Sequence, residues 1–324
     1  MLLSCIAYAQ NQSVKTEHII SDMIKAHGIF FVVFAPDYSE NCGGCVVLHY
    51  LVDRLNSMFG VSGPIAFIVP RSFPSVPATS IDLNPGYSTP VLPSWYNASA
   101  GIVIYPESLP GNPVKAQRVI RWVLYFPGIH GNGPVAQQYL PHEMIVCYSP
   151  GMCNEFVGRL PTHPLRIIDY GFHTFKRLPD TPRDGTILLH KKDTWMYAGQ
   201  HVQRAPGPVM AGEVLPLNLT KRARAEIFAR SEMLISYDAV SFISIEAAMA
   251  GCISVVVPVE NVTKEEWLQI AYGREFGVAY GMDDLKHAID TLPRVMPNLV
   301  FLANRQVSVV NEFVLKAISF FTPL

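Results

Sequence analysis

Residues 237–258 constrain the fold of this chain more than any other stretch. They read as a loop, a short helix and a strand. Ser241 and Ser244 stand at the first turn of the helix, where side-chain oxygens satisfy free backbone amides. Ala247-Ala248-Met249-Ala250 is strong helix-forming sequence, and Gly251 ends the helix because glycine enters the left-handed C-terminal conformation cheaply. Ile253 to Val257 is a β-branched run, as expected of a strand covered on both faces. Such a strand belongs in an α/β fold with a parallel sheet.

The same stretch carries chemistry. Asp238 lies just outside the helix and Glu246 one turn in. Two carboxylates eight residues apart therefore flank a helix N-terminus, which attracts anions. That arrangement suits a nucleotide-sugar, with amides for the diphosphate and carboxylates for ribose and sugar hydroxyls. The plain alternative is an ordinary βα unit with Glu246 solvated on its helix. On the first reading, Glu246→Ala weakens nucleotide affinity and leaves folding intact.

The chain opens with a related pattern. Residues 13–27 have helical spacing, and a buried strand follows over residues 29–36. A glycine-bearing turn, a helix over 45–58 and a strand over 64–69 complete a βαβ opening of a doubly wound domain. Gly43 and Gly44 let backbone amides approach a phosphate or sugar closely, but the full dinucleotide spacing is absent and NAD is not supported. The turn also spells Cys42-Gly43-Gly44-Cys45. We read it as an inert pair in a substrate loop in preference to a redox pair. After a strand over 102–107, Gly111-Asn112-Pro113 leads into an expected helix through Ala116, Val119, Ile120, Trp122, Val123 and Leu124. His130, in a glycine-rich loop, could orient a sugar or acceptor hydroxyl.

In the second half a strand over 186–190 runs into Lys191 and Lys192, cations placed to neutralise a diphosphate leaving group. A helix over 220–231 is expected to turn its basic residues outward. Further helices are expected over 263–273, 282–292 and 306–321.

At 324 residues, 49% hydrophobic and 16% charged, the chain can bury two ordinary domains. A net charge of −1 gives no global basic field for nucleic acid. The six scattered cysteines fit reduced thiols in a cytosolic protein better than a disulfide framework. No apolar run reaches the roughly 20 residues of a membrane span.

Three blocks of this sequence resemble GT-B-fold glycosyltransferases of the bacterial or viral surface-polysaccharide type. Asp238-x7-Glu246, followed by Ala-Ala-x-x-Gly-Cys and a strand ending in Pro258, looks like the Glu-x7-Glu element of that family, with Asp in place of the first Glu. The pattern from Asn41 through Gly43, Gly44, Leu48 and His49 to Asn56 is similar to the family's first loop and helix. Ile104-Tyr105-Pro106-Glu107 through Gly111-Asn112-Pro113 to Gly128 resembles a second block in the right order.

The resemblance implies two facing Rossmann-like domains with a cleft between them. Residues 1–165 would form the acceptor domain, 166–183 a linker and 184–305 the nucleotide-sugar domain, with a helix over 306–324 returning to the first domain. It implies sugar transfer to a glycan or glycolipid acceptor, retaining and metal-independent, with no cofactor and no nucleic-acid partner. Asp238 and His130 would be catalytic. Lys191, Lys192, Ser241, Ser244 and Glu246 would hold the donor, and Asn41, Gly43, Gly44 and Asn112 the acceptor. The expected location is cytoplasmic, with peripheral membrane contact left open. A sugar-nucleotide epimerase and a non-catalytic binding relative are the alternatives.

Overall fold

A computed structural model of the protein describes residues 15–60, 62–129, 138–156, 158–178, 181–191, 194–197, 200–203 and 210–322. The chain divides into two compact units. Unit 1 comprises Met1–Tyr148, Met152–Asp169 and Arg305–Leu324, and unit 2 comprises Ser149–Gly151 and Tyr170–Asn304. Each is a Rossmann-like α/β unit built on a parallel sheet.

Unit 1 opens with helix α1 (residues 15–26). Strand β1 (Phe31–Ala35), helix α2 (Gly43–Phe59) and strand β2 (Ala66–Pro70) follow, then β3 (Ile102–Pro106), β4 (Arg118–Val123), β5 (Met144–Cys147) and β6 (Thr162–Pro164). The sheet order is β2-β1-β3-β4-β5-β6, and every pairing is parallel. β1, β2, β3 and β5 are buried along their whole length, as continuous apolar strands must be when both faces are covered. Asn56 ties α2 to β2: its Oδ1 accepts the amides of Ile65 and Ala66, and its Nδ2 donates to the Ala66 carbonyl.

β4 corrects the expectation of a helix there. Ala116, Val119, Ile120, Val123 and Leu124 fall at helical spacing, but Arg-Val-Ile-Arg-Trp-Val is rich in β-branched and aromatic residues, which fit a pleated sheet. It pairs with β3 on one side and β5 on the other. The sheet also buries Arg121, which a helix could have left in solvent.

Unit 2 contains β7 (Thr186–Leu189), the antiparallel hairpin β8 (Thr194–Tyr197) and β9 (Gln200–Gln203), β10 (Glu213–Val214), α3 (Lys221–Arg230), β11 (Met233–Ser236), α4 (Ile243–Met249), β12 (Ile253–Val256), α5 (Lys264–Ile270), β13 (Val278–Tyr280) and α6 (Leu285–Thr291). The order β10-β7-β11-β12-β13 is parallel throughout. The start of α5 is set by a capping box between Thr263 and Glu266.

The last helix, α7 (Val295–Phe321), starts eleven residues before the expected Gln306. Residues from Arg305 onward belong to unit 1. There Phe313 lies 6.2 Å from Phe31 between ring centroids, and the Gln306 amide exchanges two hydrogen bonds with the backbone of Ile168.

Candidate functional site

In each unit the strand order reverses once, and such a reversal opens a crevice at the carboxyl ends of the two strands involved. In unit 2 the chain leaves β7 for β10 on one side, then returns past β7 to β11 on the other. β7 and β11 end in register, with Leu189 opposite Ser236. The next residues therefore meet across the gap: the His190 and Tyr237 rings stack 4.4 Å apart and 11° from parallel. Lys191 follows His190 and is half-buried, and Asp238 follows Tyr237. The fold thus brings two of the expected donor-site residues to one switch point. Lys192 lies outside the described residues.

The loop from Tyr237 to Phe242 is held from both sides. The Asp238 carboxylate accepts the Val240 amide, and the Ser241 hydroxyl accepts the Ile243 amide. Behind the loop the buried Arg274 guanidinium donates to the carbonyls of Val240 and Ser241, while the Trp267 indole donates to that of Ala239. α4 is only seven residues long, and several amides of its first turn already have acceptors inside the loop. The first turn of α4 therefore does not present the free amides that the sequence suggested for an anion.

Glu246 is not a solvated helix residue. Its Oε2 accepts from Arg224 Nε at 2.9 Å and its Oε1 from Arg224 Nη2 at 3.1 Å, and only 2–3% of either side chain is exposed. Arg224 Nη1 also donates to the Leu219 carbonyl. Arg224 corrects the expectation that α3 turns all its basic residues outward. Asp238, Ser241, Ser244 and Glu246 are all buried, and the Ser244 hydroxyl has no hydrogen-bond partner.

In unit 1 the reversal lies between β1 and β3. The loop after β1 carries Asn41 and leads to Gly43 and Gly44 in the first turn of α2. Neither glycine has a positive φ. A Cβ on Gly43 would meet nothing within 4 Å, and one on Gly44 would touch only the Leu124 side chain, at 3.8 Å. The backbone does not require glycine here, so its effect is open space beside the turn.

The loop after β3 carries Asn112. Its Oδ1 accepts from the Tyr105 hydroxyl and the Ala116 amide, and its Nδ2 donates to the Ala116 carbonyl. This side chain folds its own loop. Arg121 supports the loop from below, donating to the carbonyls of Leu109 and Gly111 while paired with the buried Glu143. His130 lies outside the described residues.

Sequence reasoning passed over Glu107. It directly follows β3 at the switch point, is buried, and accepts the Leu124 amide at 3.0 Å. Burial pushes its carboxyl up to about 7, against the opposing pull of backbone amides and of Arg71. The signal available beforehand was an acid immediately after an apolar strand, Ile-Tyr-Pro-Glu. On α2, His49 donates through Nε2 to the carbonyl of Pro36, which directly follows β1, at 3.0 Å, and burial lowers its pKa.

The expectation of scattered reduced cysteines is corrected. Cys42 and Cys45 form a disulfide, as do Cys147 and Cys153, while Cys252 is a free buried thiol. The bonded partners lie three and six residues apart in sequence, and strand ends and the turn of α2 bring their sulfurs together.

Among the described residues no cluster of histidine, cysteine or carboxylate side chains could hold a metal, and no helix is long and apolar enough to cross a membrane. Cavities of about 590 Å³ beside Arg118 and His142 and about 490 Å³ beside Thr186 and Gly212 open near the amino-terminal ends of strands. Neither coincides with a switch point. Comparison of the sequence with protein-family models and with curated proteins gives no match.

Proposed function

We propose that this chain is a glycosyltransferase of the GT-B type, moving a sugar from a nucleoside-diphosphate sugar to a hydroxyl of a glycan or glycolipid acceptor. The two units would face one another across the substrate cleft. The observation that carries this reading is the convergence of His190-Lys191 and Tyr237-Asp238 at the switch point of unit 2. A parallel sheet with a cation and a carboxylate at that position suits a phosphorylated sugar.

In this reading Lys191, with Lys192, neutralises the charge that builds on the departing diphosphate, so transfer needs no bound metal. In this reading Asp238 is the catalytic carboxylate, with His130 at the acceptor. Retention of configuration follows the paired-acid pattern. Glu246 acts through Arg224, fixing α3 and α4 so that the loop bearing Asp238 keeps its shape. In unit 1 the space beside Gly43 takes the acceptor. Work in the cytoplasm at a membrane surface would suit a glycolipid acceptor.

A thermal-shift panel of UDP, GDP, CMP and dTDP with their common sugars tests the reading, because a ligand that binds the native state raises its melting temperature. One nucleotide is expected to stand out, and Lys191→Ala to shrink its shift relative to that variant's own unliganded melting temperature. Sugar transfer to a hydroxyl acceptor then separates a transferase from an epimerase. No shift with any nucleotide would remove the proposal.

A further inference from the structure

We propose that Cys42 and Cys45 form a thiol–disulfide exchange site that takes electrons from a vicinal dithiol and sets the state of the loop after β1. The pair sits at the start of a 17-residue helix, with Cys42 as the capping residue and its Sγ accepting the Cys45 amide at 3.3 Å. The two residues are unequally exposed. Cys42 is half-buried, whereas Cys45 is 5% exposed. Beside them Gly43 is exposed, and a Cβ there would meet nothing within 4 Å. The second disulfide offers a contrast, since Cys147 and Cys153 are 2% and 6% exposed. Cys252 is fully buried and its thiol is pushed up to about 12, so it is no competing nucleophile.

A thiolate of the dithiol attacks Cys42 Sγ, the Cys42–Cys45 bond breaks, and its electron pair leaves on Cys45 Sγ, which takes a proton. The dithiol's second thiolate then attacks its own bonded sulfur and closes a ring disulfide. Cys42 is released as a thiolate, which the Cys45 amide and the helix N-terminus stabilise until it is protonated. Two electrons and two protons pass from the dithiol to the protein. The loop over residues 36–42 then loses its covalent tie to the first turn of α2. This inference does not depend on the nucleotide-sugar reading, because its readout is thiol chemistry.

The test is timed alkylation of the native full-length chain in dithiothreitol, with each cysteine mapped by mass spectrometry. The Cys42–Cys45 bond is expected to open roughly tenfold or more faster than Cys147–Cys153. With oxidised glutathione, Cys45→Ser is expected to trap a mixed disulfide on Cys42. Cys42→Ser should trap on Cys45 roughly tenfold more slowly. Equal opening rates for the two disulfides, or equal trapping at Cys45, would overturn the proposal. The rate comparison in the unsubstituted chain decides the matter even where a variant fails to fold.

Discussion

Glu246→Ala separates a residue that binds ligand from one that holds the fold. Sequence alone has this change weaken nucleotide binding and spare folding. The structure reverses the second half of that expectation. Truncation removes both acceptors of a guanidinium that is 2% exposed, leaving Arg224 Nε and Nη2 without the carboxylate they share. Breaking a buried pair from one side costs about 3–5 kcal/mol, because the remaining charge is stranded away from water. For a unit of this size roughly 3 °C is lost per kcal/mol, so the expected fall in melting temperature is roughly 10 °C or more.

Unfolding is best followed by tryptophan fluorescence, since Trp267 is buried in unit 2 and bonded to the Ala239 carbonyl. The double change Arg224→Met with Glu246→Leu removes both charges and is expected to recover most of the loss. A Glu246→Ala protein that melts within about 2 °C of the parent would refute the reasoning, since loss of a buried ion pair costs several kcal/mol. A collapse of nucleotide affinity in that protein would then place Glu246 in the ligand site proper.

Two further predictions concern unit 1. A carboxyl whose folded pKa is raised binds its proton more tightly when folded, so its contribution to stability is lost as pH rises from the unfolded value towards the folded one. For Glu107, lifted from 4.5 to about 7, that loss amounts to about 3 kcal/mol between pH 4.5 and 7 and is level above. Glu107→Gln should flatten this slope in urea unfolding run from pH 5 to 8, and parallel profiles would count against the buried acid. Asn112→Ala, which deletes two hydrogen bonds within the loop after β3 and one to Tyr105 of β3, should cost about 2 kcal/mol. A purely acceptor-binding Asn112 would instead leave the denaturation midpoint unmoved and change only acceptor affinity.

The α/β class and most of the elements were legible in the residues themselves. Runs such as Phe-Val-Val-Phe-Ala and Met-Leu-Ile-Ser can bury both faces only in a parallel sheet, and Thr263 with Glu266 marks a helix start by chemistry confined to one turn. β4 is ambiguous in the sequence because its apolar positions satisfy helical spacing as well as a strand. Its β-branched and aromatic content, which suits a pleated sheet, is what separates the two.

What sequence could not settle was which polar side chains face inward and whom they meet. Arg224 and Glu246 are 22 residues apart, as are Arg121 and Glu143, and only the packing of separate elements brings each pair together. The stack of His190 on Tyr237 follows from strand register, a property of the assembled sheet. The identity of a residue fixes the chemistry it can offer. Burial and partners decide whether that chemistry is turned to a ligand or to the fold, and both are set by contacts between segments distant in the chain.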